Sequence, residues 1–242
     1  MKIAIGFFGI TRSLKYTIKS IEENIFNILI SNNIEYDIYV HTYFLSSYKN
    51  IRTKEEIKNL SEINNEEYKL LKPTYYKQDI QEEIKKKINL SLYYTQKDPW
   101  NTGYDSVNNF ILGSYSKKEV TNMIEKNSKE YDYIFFMRPD CMYTQPLNIE
   151  YLKLVTDNSI VIPNFHLFGI YKINDRFAIT NKKTYKKYGE VFDRLLEFSK
   201  KQPLHSETLI GYILIEIHKI KCHKVLFNFS RVRCNGFIQD TF

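Results

Sequence analysis

Cysteine is scarce in this chain, and the scarcity removes a class of scaffolds. Cys141, Cys222 and Cys234 are odd in number and stand in no CxxC or Cys/His metal-binding spacing. Reduced thiols in a cytosol-like compartment are the simplest account, which points to a cytoplasmic protein. Long apolar runs are missing too: no stretch approaches the ~18 uninterrupted apolar residues of a membrane-spanning helix. There is no GxGxxG and no GxxxxGK[ST], so the usual dinucleotide and P-loop fingerprints are absent. No zinc-protease pattern, nucleophile elbow or chain-ordered serine, histidine and aspartate supports hydrolysis. Neither an internal repeat nor a coiled-coil heptad is present.

What is there is ample core material. The 242 residues are 43% hydrophobic and 15% aromatic, which fits one large α/β domain. A formal charge of +7 and a pI near 9.0 favour an anionic partner. Nucleic acid is poorly supported, because the lysines are spread among glutamates, as in Glu82-Glu83-Ile84-Lys85-Lys86-Lys87, and no zinc-finger or basic-zipper pattern occurs.

The opening KIAIGFF, residues 2–8, reads as a buried strand, followed by a turn at Gly9-Ile10-Thr11-Arg12. The run is too short, and too quickly followed by an amphipathic helix, to be a secretion signal. Leu14, Ile18, Ile21, Ile25 and Ile28 recur at three- and four-residue steps and form that helix, with Ser13 or Thr11 as cap. Its N-terminus is a place for phosphate or another anion. A second parallel strand follows at Tyr36-Asp37-Ile38-Tyr39-Val40-His41-Thr42-Tyr43. Residues from about 46 to 105 read as an irregular helical excursion over the ligand side of the sheet, with Trp100 and Tyr104 as aromatics able to stack on a base or sugar.

Ser116 and Glu119 have capping-box spacing and predict a helix start. That helix feeds Tyr133-Ile134-Phe135-Phe136-Met137, a run with the character of a strand buried on both faces. Arg138-Pro139-Asp140 then ends the strand, since proline denies the sheet a donor. A cation and a carboxylate at the C-terminal edge of a parallel strand lie where open α/β sheets place their ligand crevice. A long helix is expected from Lys182 to Pro203, and another after Ser206.

Asp140 is the strongest candidate for a metal or sugar ligand, because a hard divalent ion can be held by one or two carboxylates together with substrate phosphate. Arg12, Arg138, Arg231 and Arg233 are the cations suited to a diphosphate, whose paired oxygens match a guanidinium. His205 and Glu207 are candidates to orient an acceptor hydroxyl or accept its proton, and Asp175 competes for the base role. Each also has an ordinary structural explanation: an ion pair, a cap or an Asx turn.

Several of these stretches together resemble a family of small glycosyltransferase-like proteins of bacterial polysaccharide clusters and large DNA viruses. The resemblance rests on Phe7-Phe8-Gly9-Ile10-Thr11-Arg12, Tyr36 to Thr42, Leu71-Lys72-Pro73, the serine-led helix at Ser116, Arg138-Pro139-Asp140, Asn174 to Ile179, and His205-Ser206-Glu207, met in that order. It implies a GT-A-like, Rossmann-related fold over residues 1–242, with a mostly parallel central sheet flanked by helices. The expected activity is transfer of a sugar from a nucleotide-diphospho-sugar to a glycan or other hydroxyl acceptor. Phe8, Gly9, Arg12, His41, Arg138, Asp140, Arg231 and Arg233 would bind the donor, and Asp175, Glu207 and His205 would serve catalysis. The family's DXD motif holds Mn²⁺ or Mg²⁺, and here Arg138 replaces its first acid. The expectation is a metal on Asp140 plus substrate phosphates, with replacement of the metal by arginine as the alternative. A noncatalytic glycan-binding or assembly protein and a sugar-phosphate nucleotidyltransferase are the rival functions.

Overall fold

The computed structural model describes residues 1–53, 55–57 and 63–239. In chain order the elements are β1 (Lys2–Phe8), α1 (Leu14–Ile21), α2 (Asn27–Ser31), β2 (Glu35–Phe44), β3 (Tyr48–Asn50), β4 (Glu55–Ile57), β5 (Tyr75–Ile80), α3 (Gln81–Ile88), α4 (Asp105–Lys126), β6 (Tyr133–Met137), β7 (Cys141–Tyr143), β8 (Ser159–Pro163), β9 (Phe177–Asn181), α5 (Tyr185–Gly189), α6 (Phe192–Ser199), α7 (Ser206–Gly211), β10 (Lys221–Val225), β11 (Phe229–Val232) and β12 (Ile238–Gln239). No described helix is long and apolar enough to cross a membrane.

Seven strands form the central sheet in the order β10-β8-β9-β6-β1-β2-β5. Every pairing is parallel except the two made by β9, which runs against both β6 and β8. The result is an α/β fold with a mostly parallel sheet flanked by helices, consistent with a GT-A-like architecture. β1 pairs with β2 on one side and β6 on the other, so the order of winding reverses between β1 and β6. At such a switch point the connections leave in opposite directions and open a crevice beyond the strand ends.

The period-two alternation of β1 divides the core. Ile3, Ile5 and Phe7 join Phe135, Met137 and the α1 residues Leu14 and Ile21 on one face. Ala4 and Phe8 join Ile134, Phe136 and the α4 residues Val107, Ile111, Val120 and Ile124 on the other. Phe135 and Phe136 are both fully buried, so β6 faces two hydrophobic layers, and truncating either ring to alanine costs about 3–5 kcal/mol. Gly6 is where α4 comes nearest: a Cβ there would stand 2.4 Å from the side chain of Val120.

Four local expectations are corrected. The helix expected to start at Ser116 is the 22-residue α4, which starts at Asp105 and has Ser116 in its interior. Within the supposedly irregular excursion, β5 joins the main sheet beside β2. The long helix after Lys182 is two short ones, α5 and α6. Between α1 and α2 the backbone widens into a π-helical stretch, Glu22–Phe26, which rotates the apolar stripe so that Leu29 is fully buried in place of Ile28.

Candidate functional site

The crevice beyond β1 and β6 is a cavity of about 300 Å³. Gly9 makes the turn out of β1 with φ +99°, a conformation that favours glycine, and its amide donates to Ser116 Oγ at 2.7 Å. Pro139 ends β6, and Thr17 of α1 holds its carbonyl by a 2.6 Å hydrogen bond. Past β6, the chain turns into β7, which pairs antiparallel with β11 so that Cys141 lies opposite Arg231. This register puts Arg231 beside Asp140, and Arg233, two residues on, follows it toward the cavity.

Arg138 Nε and Nη2 donate to the two carboxylate oxygens of Asp140 at 2.8 and 2.7 Å, and Arg231 Nη2 adds a third bond at 3.0 Å. Burial alone would favour the neutral acid, but Arg138, Arg231 and Arg12 outweigh it and hold Asp140 well below the usual carboxylate range. Arg12 and Arg233 share a different carboxylate: Glu55 on β4 stands 3.6 Å from Arg12 Nε and 3.4 Å from Arg233 Nη1. Thr53 and the Cys234 amide fix Glu55 in place, and the Arg12 guanidinium lies 4.4 Å from the centre of the Tyr48 ring. Burial is the largest influence on Arg231 and Arg233 and, with repulsion from neighbouring guanidiniums, lowers both, Arg231 to about 9.

A second group of side chains lines the same cavity. The Arg138 amide donates to the Arg176 carbonyl at 3.1 Å, which sets Asp175 and Arg176 beside the end of β6. His205 is the N-cap of α7, and its Nδ1 accepts weakly from the Thr208 amide at 3.4 Å, so in the neutral ring the proton belongs on Nε2. The imidazole stacks on Trp100, ring centres 5.3 Å apart and planes 22° from parallel. Asp98 fixes the Trp100 loop by accepting from the amides of Trp100, Thr102 and Tyr104. Burial and then the charge of Asp175 raise the Glu207 carboxyl, against hydrogen bonding from Ser206 and the charge of Arg176.

Phe8, Gly9, Arg12, Arg138, Asp175, His205, Glu207, Arg231 and Arg233 all line this one cavity. Two residues expected at the site do not. His41 is fully buried behind the Gly9 turn, between Ser116 Oγ at 2.8 Å and Asp79 Oδ2 at 3.1 Å, where it supports the turn and stays out of reach of a ligand. Asp140 is 1% exposed and lies behind its arginines.

The residues present do not fit the divalent cation expected on Asp140. Both carboxylate oxygens are already engaged by guanidiniums, and a cation there would be surrounded by like charge. No group of three or more His, Cys, Asp or Glu among the described residues is arranged to hold a metal. The N-terminus of α1 is not an open anion site either. Glu67 fills it, its Oε2 accepting from the amides of Leu14 at 2.9 Å and Lys15 at 3.4 Å, while Ser13 makes no capping bond.

Lys117 escapes sequence reading. It is 2% exposed, lines the cavity, and places its ammonium 4.1 Å from the centre of the Tyr188 ring and 5.4 Å from that of Phe8. Burial lowers it to about 8, with Asp175 opposing the shift. Its spacing to Val120 and Ile124 puts it on the apolar stripe of α4, which is the signal that identifies it. Glu55, Glu67 and Tyr48 carry no such signal.

No protein-family model matches the chain, and neither does any curated protein. Solved structures with a similar outline include the galactosyltransferase LgtC in complex with donor and acceptor sugar analogs, at 13% identity over 88% of this chain and 70% of that one, TM-score 0.48. The apo glycosyltransferase GlyE of Streptococcus pneumoniae is similar at 10% identity over 92% of this chain but 44% of its own, TM-score 0.45. Mouse xyloside xylosyltransferase 1 is similar at 10% identity over 93% of this chain and 85% of its own, TM-score 0.46. At these values the likeness assigns no role to any residue here.

Proposed function

We propose that this protein transfers a sugar from a nucleotide-diphospho-sugar to a hydroxyl group of a glycan or other acceptor. The observation that carries this reading is that Arg12, Arg138, Arg231 and Arg233, the carboxylates of Asp175 and Glu207, and the Trp100 and His205 rings line one cavity. Arg12, Arg138, Arg231 and Arg233 supply donors for the two phosphates of a donor substrate. As the glycosidic bond breaks, negative charge grows on the diphosphate, and fixed guanidiniums meet that charge without reorganising.

Asp175 and Glu207 line the cavity and would accept the proton of an attacking hydroxyl. The raised carboxyl of Glu207 brings it closer to the working range of a general base near neutral pH. The stacked rings of Trp100 and His205 offer a flat surface to the apolar face of a sugar, and His205 Nε2–H is free to orient a hydroxyl. Holding both reactants in one cavity supplies the proximity that the reaction needs.

A thermal-shift screen of nucleotide sugars, followed by assay of nucleoside diphosphate release with the donor that stabilises, tests the reading. It predicts one preferred donor, release of its diphosphate, and slower release in Glu207→Gln and Asp175→Asn. A screen in which no nucleotide sugar stabilises the protein would overturn it.

A further inference from the structure

We propose that the arginine wall holds the donor diphosphate directly, with guanidiniums in the place of a divalent cation. This rests on the nucleotide-sugar reading above and names how that substrate's charge is met.

The first support is the state of Asp140. Its three hydrogen bonds, from Arg138 Nε, Arg138 Nη2 and Arg231 Nη2, lie between 2.7 and 3.0 Å, and its side chain is 1% exposed. To ligate a cation it would have to release guanidiniums that already occupy both of its oxygens. Its role in this arrangement is to aim them: one carboxylate fixes two guanidiniums in the plane and spacing that a second oxyanion can use.

The second support is unused donor capacity. Arg12 Nε and Arg233 Nη1 are buried and have no hydrogen-bond acceptor among the described residues. Their side chains are 5% and 4% exposed, and both line the cavity. Glu55 balances their charge from 3.6 and 3.4 Å without reaching hydrogen-bonding geometry with those atoms. A buried donor without an acceptor is costly unless a ligand supplies one. Phosphate oxygens would do so, whereas a metal ion has no lone pair to accept an N–H and would add like charge beside the guanidiniums.

The experiment is calorimetric titration of the full chain with UDP, GDP, CDP, ADP and inorganic pyrophosphate, each in EDTA and in Mn²⁺. The proposal predicts an affinity for the preferred diphosphate that differs by less than about twofold between the two buffers, and a loss of at least about tenfold in both for Arg12→Lys and Arg233→Lys, which keep the charge but lose the planar fork. Circular dichroism of the variants shows whether they retain the fold. Affinity that falls about tenfold or more in EDTA and returns with Mn²⁺ would overturn the proposal while leaving the nucleotide-sugar reading intact. Metal-independent binding of pyrophosphate with no binding of any nucleoside diphosphate would support the oxyanion wall and remove the nucleotide-sugar reading. Absence of binding by every probe would overturn both.

Discussion

The carboxylate of Glu67 caps the amide of Leu14 at 2.9 Å, reaching the first turn of α1 from 53 residues away. An acidic side chain thereby takes the position that a phosphate occupies when the first helix of an α/β unit binds nucleotide. Glu67→Ala should lower stability by about 1–2 kcal/mol through loss of the cap. Denaturant unfolding checks that figure. Diphosphate affinity should not rise in this variant; a tighter complex would show that the helix terminus competes for phosphate after all.

Ser116 connects three elements, accepting from the Gly9 amide and meeting both Nδ1 and the carbonyl of His41. Ser116→Ala leaves the Gly9 amide without its acceptor and the buried His41 imidazole with Asp79 alone, and should cost about 1–3 kcal/mol. Because the Gly9 turn lines the cavity, donor affinity should fall as well. Ser116→Cys, with a weaker acceptor of similar shape, should lie between the two in both measurements.

Burying the Lys117 ammonium costs stability at neutral pH. Its value in the folded protein, about 8, lies below its ordinary 10.5, so folding penalises the protonated form. The unfolded chain binds more protons between those values, and stability therefore rises as pH climbs from about 8 to about 10.5. Lys117→Met should be more stable than the parent by about 3 kcal/mol at pH 7, with the gap closing toward pH 10.5. Urea unfolding at several pH values checks this. Turnover should fall by about tenfold or more, since the ammonium faces the cavity near Asp175. A variant less stable at neutral pH would refute the assignment.

The His41 and Asp79 pair predicts acid sensitivity of one sign. Hydrogen bonding from His41 is the largest influence on Asp79, and with Lys77 it holds the carboxyl below its ordinary value against burial; burial in turn lowers His41 against the pull of Asp79. The Asp79 contribution is present above the ordinary carboxylate range and is lost as pH falls through the lowered value. His41 is neutral when folded and charges more readily once unfolded, so it too favours unfolding as pH drops below its ordinary 6.5. Asp79→Asn should flatten the acid limb of the stability profile, and an unchanged limb would count against the pairing.

The buried framework was legible because its signals are local. The run from Tyr133 to Met137 announces a strand covered on both faces, and Pro139 announces its end. The arginines and the Asp175 and Glu207 carboxylates were legible as charge arriving at element boundaries. What those charges do was not, because partner choice is settled by contacts between distant segments. Asp140 reads as a ligand until β11 brings Arg231 across 91 residues to engage it. His41 reads as a ligand-side residue until Ser116 and Asp79 enclose it from two other elements. Ser116 misled for a related reason: capping-box spacing recurs inside a helix, and only the preceding Asp98 loop shows that α4 starts earlier.

The most direct measurement is a crystal structure of the protein with its preferred nucleotide sugar or the corresponding nucleoside diphosphate. Both phosphates are expected within hydrogen-bonding distance of Arg12, Arg138, Arg231 and Arg233, with the sugar carried toward Asp175 and Glu207. Phosphates bound away from those four guanidiniums would contradict that placement.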